Sequence, residues 1–201
     1  MITVELKFPS GMFHATPWGR NVNEGVPEWP PSPYRLVRAL YDAWKRKRPE
    51  WQDAQVEPLL EALASEPPLF SLPPARASHT RSFLSENDRD VTRRQLVFDA
   101  FVALSSESSI IIHWPEAELS DAQKRDLDEL FSVMNYLGRS ESWVTARLSQ
   151  VTDAAWNCVP VNDSDELHDT EIVQVPVRCQ DLPMPQNRLW FLHRRKASQQ
   201  S

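Results

Sequence analysis

Residues 2 to 8 alternate without exception: Ile2, Val4, Leu6 and Phe8 fall on one side, Thr3, Glu5 and Lys7 on the other. A period of two marks a strand with one face against a core and the other toward water. A chain that opens this way must supply partners for the strand's edges and a layer to cover its apolar face.

The covering layer is legible downstream. Ser32 offers an N-cap and Pro33 a first helical residue, and Leu36, Val37, Leu40, Tyr41 and Trp44 follow at helical spacing, which predicts a helix over 33–48 with Arg35, Arg38 and Lys45 on its other face. A second helix over about 51–65, with Leu59, Leu60 and Leu63, stops before Pro67-Pro68. Ser120 and Gln123 form a capping box for a third helix, whose stripe of Leu127, Leu130, Phe131, Met134 and Leu137 runs to Gly138, read as its stop.

Strand partners come from three runs. Gln95–Leu104 and Ser109–Trp114 are joined by Ser105–Ser108, which predicts a hairpin, and Trp143–Val151 alternates. The segment 67–94 reads as Pro-rich and irregular, with Arg76, Arg81, Arg89, Arg93 and Arg94; interleaved Glu86, Asp88 and Asp90 make local ion pairs an equal reading. In order, these elements predict an α+β domain of the ferredoxin-like, RRM-related βαββαβ kind over 1–150, with an insertion at about 51–94. Its helices would cover one sheet face and leave the other, or the loops at the sheet's end, free for a ligand. Beyond 150 lie an acidic loop at Asp163–Asp169, strand-like runs at 172–177 and 188–193, and a frayed tail containing Arg194, Arg195 and Lys196.

Composition narrows the function. With 28 acidic against 22 basic residues, a net charge of −6, the chain is no general polyanion binder. It holds 17 Pro and 4 Gly, where an average chain of this length has about ten and about fourteen; long loops stiffened by proline are expected. No apolar run of membrane-spanning length and no basic-then-apolar leader is present, so a cytoplasmic protein without membrane contact is expected. Cys158 and Cys179 lack metal-ligand spacing and read as reduced structural thiols, not a zinc site. Nothing in the sequence calls for a cofactor.

The segment Gly11–Pro31 is the richest in chemistry. It gathers His14, Trp18, Arg20, Asn21, Asn23 and Trp29, which offer stacking surfaces, a guanidinium and amides suited to base edges, and it runs into the N-terminus of the first helix. The competing reading is that Trp18 and Trp29 fill the loop's own small core. In the turn Gly138-Arg139-Ser140-Glu141-Ser142-Trp143 the preceding helix C-terminus repels anions, so a phosphate there would be held by Arg139, the serine hydroxyls and turn amides; the alternative is a plain C-cap with the arginine on the last carbonyls. Lys45–Arg48 reads first as a solvated helix end. His14 has two readings, a hydrogen-bonded or RNA-contacting residue and a general base acting on a ribose 2′-OH.

These strings resemble a known family. Phe13 to Gly25 (FHATPWGRNVNEG), Glu28 to Leu36 (EWPPSPYRL), Ile112-His113-Trp114-Pro115 and Tyr136 to Trp143 (YLGRSESW) resemble the RAMP-superfamily subunit of type I-G (formerly I-U) CRISPR effector complexes. The resemblance covers roughly residues 1–150. It implies a lobe that caps the 5′ handle of CRISPR RNA and touches the Cascade backbone and large subunits, reaching target DNA only through the complex. It also implies that Gly138-Arg139 is the glycine loop contacting RNA and that Arg76–Arg94 is a thumb-like element. The family pattern continues into a second, precursor-processing lobe, whose metal-independent endoribonuclease activity is the alternative function; the chain departs from that pattern by stopping at Ser201. RNA contacts are then expected from Trp18, Arg20, Asn21, Trp29, Arg35, Arg38, Arg81, Gly138, Arg139 and Ser140, with His14 as the alternative catalytic residue.

Overall fold

The computed structural model describes residues 1–21, 24–85 and 94–160, with side chains for 1–21, 24–83 and 96–160, and the backbone of strands at 170–175 and 193–199. Expectations placed on Asn23, Glu86, Asp88, Arg89, Asp90, Arg93, the loop 163–169, Cys179 and residues 188–192 lie outside the described residues.

The first strand, β1 (Ile2–Lys7), forms where the alternation predicts it and is an interior strand of its sheet, pairing antiparallel with β6 (Ser109–Trp114) on one side and β7 (Thr145–Leu148) on the other. β3 (Leu69–Ser71) adds antiparallel to the far edge of β6, and β8 (Cys158–Pro160), β10 (His193–Gln199) and β9 (Thr170–Val175) extend the sheet beyond it. Thus the segment containing Arg194–Lys196 is strand, not the expected frayed tail.

Helix α1 (Pro33–Lys47) starts as predicted, with Ser32 Oγ accepting from the Arg35 N–H, and α2 (Asp53–Leu63) packs beside it. Helix α3 (Asp121–Ser132) has the full capping box between Ser120 and Gln123; such caps stabilise a helix by about 1 kcal/mol. Ile2, Val4, Leu6, Ile110, Ile112, Trp114 and Phe70 face these helices and form one core with Leu36, Leu40, Leu59, Leu63, Leu127, Leu130 and Phe131. The α3 stripe departs from expectation. The helix ends at Ser132, with Val133 as its C-cap, so Gly138 is not its stop. Met134 and Leu137 are still buried, because a turn after the helix delivers them to the same core.

The expected 95–104/109–114 hairpin does not form. β5 (Arg94–Leu104) pairs over its whole length with β4 (Ala75–Ser85), and its base also pairs with β2 (Met12–Phe13), making a separate three-stranded sheet. The arginine-rich stretch read as irregular is therefore in part a strand, whose polar residues on both sides hid its period.

The sheet face opposite the helices is occupied. Glu5 accepts from Ser109 at 2.6 Å and from Arg147 Nε at 2.7 Å; the Ser109 bond first, then Arg147 and Lys7, hold its carboxyl below the ordinary range despite burial. Thr3 bonds His113 at 2.8 Å, and the Trp156 ring stacks on His113 at 5.1 Å. Residues 149–157 run across this face, anchored by Ser149 N–H to Thr3 C=O at 2.9 Å and by Asn157 on Phe70 and Leu72 at β3. Of the two surfaces open on sequence grounds, the loops at the end of the sheet remain.

Candidate nucleic-acid interface

At the end of the sheet where β1 finishes and β6 and β7 begin, two distant segments are bonded together. The Arg139 N–H donates to the His14 carbonyl at 2.8 Å, the His14 N–H donates to Ser142 Oγ at 2.7 Å, and that hydroxyl donates back to the His14 carbonyl at 3.3 Å. His14 and Ser142 are buried. Gly138 adopts φ +94°, and a β-carbon there would stand 2.5 Å from the His14 oxygen, so both its conformation and its surroundings demand glycine.

Four charged or titratable side chains meet at this corner. His14 Nδ1 lies 2.7 Å from Glu141 Oε1, its Nε2 lies 3.9 Å from Asp99 Oδ1, and the same Asp99 oxygen accepts from Arg139 Nη1 at 2.8 Å. Burial disfavours the charge on Glu141, but its own backbone N–H, His14 and the Ser140 hydroxyl outweigh that and lower its pKa. His14 Nε2 and Trp114 Nε1 are the buried side-chain polar atoms with no hydrogen-bond partner among the described residues. Asp99 stands on β5, so its bond to Arg139 ties the β4–β5 hairpin to the glycine corner.

The N-terminal excursion is an Ω-loop with a fastened neck. The Glu28 N–H donates to the Ala15 carbonyl at 2.8 Å. The Glu28 carboxylate receives Arg35 through two bonds of 2.8 and 2.9 Å and also takes the Ser32 N–H at 2.9 Å. Arg35 reaches on to the Thr16 carbonyl at 2.9 Å. Burial alone would lower the Arg35 pKa; its bonds to Glu28 raise it instead. Arg35 is thus bound to its own loop.

The other expected contact residues divide. Trp18 is 66% exposed, while Trp29 is half-buried against Phe13, so the core-filling reading holds for Trp29 alone. Arg20 pairs with Glu24 at 3.0 Å, and the adjacent Asn21 N–H donates to the same carboxylate at 3.1 Å. Arg38 is exposed on α1 and lies over Tyr34. Arg81 is exposed on β4 with its guanidinium 5.3 Å above the Phe98 ring, next to the His79–Phe98 pair. Ser140 is exposed and bonds Glu141 at 3.3 Å. Lys45, Arg46 and Arg48 pair with Asp53, Asp42 and Glu129, the solvated helix end expected.

Sequence reasoning missed the roles of Asp99, Glu28 and Glu141. Asp99 carried a signal, being the lone charge inside the apolar run Leu96–Leu104. Trp143, 64% accessible between buried Ser142 and Val144, was read only as the end of a motif and the start of a strand, not as a contact residue.

No metal-holding group of His, Cys, Asp or Glu occurs among the described residues, and no described helix is long and apolar enough to cross a membrane. Burial raises the Cys158 thiol to about 11, in keeping with a structural thiol. No protein-family model matches the chain, and no curated protein matches it.

Proposed function

We propose that this domain binds CRISPR RNA as a handle-capping RAMP subunit of a type I Cascade complex. It lies in the cytoplasm and contacts the backbone and large subunits. The single observation that carries the proposal is the convergence of the His14 segment and the Gly138-Arg139 turn on one end of the sheet, with the β4–β5 hairpin tied to the same corner through Asp99. The core order β7-β1-β6-β3, all antiparallel, with helices after β1 and β6, supports the ferredoxin-like assignment, β3 taking the place expected of residues 95–104. The hairpin is then the thumb-like element. Exposed Trp18 supplies a stacking surface, and Arg81, Arg38 and Arg139 supply guanidinium groups near phosphate.

Burial of His14, with Nδ1 engaged by Glu141, favours capping over cleavage, since a general base must reach the 2′-OH it deprotonates. Incubating the chain with end-labelled CRISPR-repeat RNA in EDTA tests both functions. Tight binding without cleavage is expected; cleavage lost in His14→Ala would establish the endoribonuclease instead.

A further inference from the structure

Beside the glycine corner, the edge strand β7 and the turn before it carry an exposed row. Trp143, Thr145 and Arg147 are exposed, and Val144 and Ala146 between them are buried. The buried pair faces the core, so the exposed three stand on the sheet face opposite the helices. Strand β1 runs alongside, with Lys7 opposite Thr145 and Glu5 opposite Arg147, and directly opposed residues share a face. The segment 149–157 leaves this end uncovered on the β1 side. Its anchor there is Thr3, four residues before Lys7, which is about 13 Å along a strand.

The row is built for contact. Trp143 is pinned by its main chain: it bridges to Tyr136, the Leu137 N–H donates to the Ser142 carbonyl at 3.1 Å, and the Val144 N–H donates to the Asn135 carbonyl at 3.0 Å. The Tyr136 hydroxyl in turn accepts from Arg46 on α1 at 2.9 Å. Yet Trp143 is 64% exposed, and its indole has no hydrogen bond or ring contact among the described residues. A rigidly held indole in water offers a flat apolar surface to a planar ligand. Beyond it, cations outnumber acids. Lys7 and Arg147, with side chains 41% and 70% accessible, flank one carboxylate, Glu5, at 14%. Arg147 commits Nε and Nη2 to Glu5, at 2.7 and 2.6 Å, which leaves the donors of Nη1 unused. Lys7 stands a loose 3.8 Å from the same carboxylate.

We propose that Trp143, Lys7 and Arg147 form a second RNA subsite, in which one base stacks on the indole and the phosphates that follow are held by the two cations. This subsite rests on the RNA-binding reading and deepens it by giving the path of the strand. From Arg139 the RNA passes to Trp143, four residues on in the same closed turn, and leaves along the exposed side of β7. Stacking does not depend on charge, and the two cations put local positive charge where the backbone runs, so a chain of net charge −6 can still hold RNA here. Trp and Arg also suit protein partners, but the lysine and the unbalanced positive charge beside them favour a polyanion.

The test is fluorescence anisotropy of a labelled single-stranded CRISPR-repeat RNA titrated with the full chain at several salt concentrations. Trp143→Ala should bind about 10-fold or more weakly with an unchanged slope of log K against log salt, because a stack is lost and no phosphate contact. Trp143→Phe should recover most of that loss. Lys7→Gln and Arg147→Gln should each lower the slope by about 0.7. If Arg147→Gln unsettles the sheet, Trp143→Ala and Lys7→Gln still decide the matter, since both leave the Glu5–Arg147 pair in place. Wild-type affinity in Trp143→Ala, or unaltered slopes in the cation variants, overturns the subsite, frees this face for a protein partner and leaves the RNA reading standing. Absence of RNA binding by the wild-type chain overturns both.

Discussion

Gly138 sits so close beneath His14 that the space for a side chain is taken by the His14 carbonyl oxygen, 2.5 Å from where a β-carbon would lie. Gly138→Ala therefore meets two penalties, a left-handed φ of +94° and a clash with backbone that cannot swing aside. The substitution should destabilise the domain by about 2–4 kcal/mol and loosen the corner. Urea unfolding reads this directly; an unchanged midpoint would show that the turn reorganises freely.

Arg139 is the corner's cation, so on the proposed RNA-binding reading its removal subtracts one phosphate contact without touching sequence readout. Arg139→Ala should weaken binding uniformly across RNA sequences and reduce the slope of log K against log salt by about 0.7 for a single-stranded site. Titrations at four or five salt concentrations check it, and an unaltered slope would remove Arg139 from the interface.

Glu28 serves α1 and the Ω-loop at once, through Arg35 and Ser32. Glu28→Gln keeps the shape but leaves the half-buried Arg35 guanidinium without a counter-charge. A loss of about 1–3 kcal/mol is expected, with faster proteolytic cutting within residues 16–27. Equal cutting rates in both proteins would show that the neck holds without the ion pair.

His113 is buried under Trp156, and that burial, with the nearby N-terminal ammonium, lowers its pKa from the ordinary 6.5. The folded state then binds fewer protons than the unfolded one once the pH drops below 6.5, so stability is present above that value and declines as the pH falls toward the folded pKa. Unfolding free energies at pH 7.5, 6.5 and 5.5 should show the decline in wild type and a flatter profile in His113→Gln.

Cys158 is buried, and its thiol is pushed up to about 11, so at pH 8 almost none is thiolate. In a Cys179→Ser background, iodoacetamide should leave the native protein unlabelled and modify it on denaturation. Rapid native labelling would place the thiol at the surface.

What could be read from the sequence was what neighbouring residues decide among themselves. β1 follows from seven alternating positions, α1 from Ser32-Pro33 and its stripe, α3 from the Ser120–Gln123 box. Pairing is another matter. A period of two says that Gln95–Leu104 is a strand but not which strand lies beside it, and the short link to Ser109 suggested the wrong neighbour. β4 escaped notice because Arg76, His79 and Arg81 are exposed and leave no apolar rhythm. The same limit applied to the site: Arg139 was visible as a cation, but its partner Asp99 lies 40 positions away and meets it only through the fold.

The fastened neck of the Ω-loop makes the stretch between Thr16 and Glu28 an exchangeable cassette. Because Ala15, Thr16 and Glu28 are gripped independently of what the cassette contains, doubling its length would cost only about 0.6 kcal/mol of closure entropy. The sequence between these anchors can thus be rewritten while the glycine corner and the sheet beneath it stay as they are.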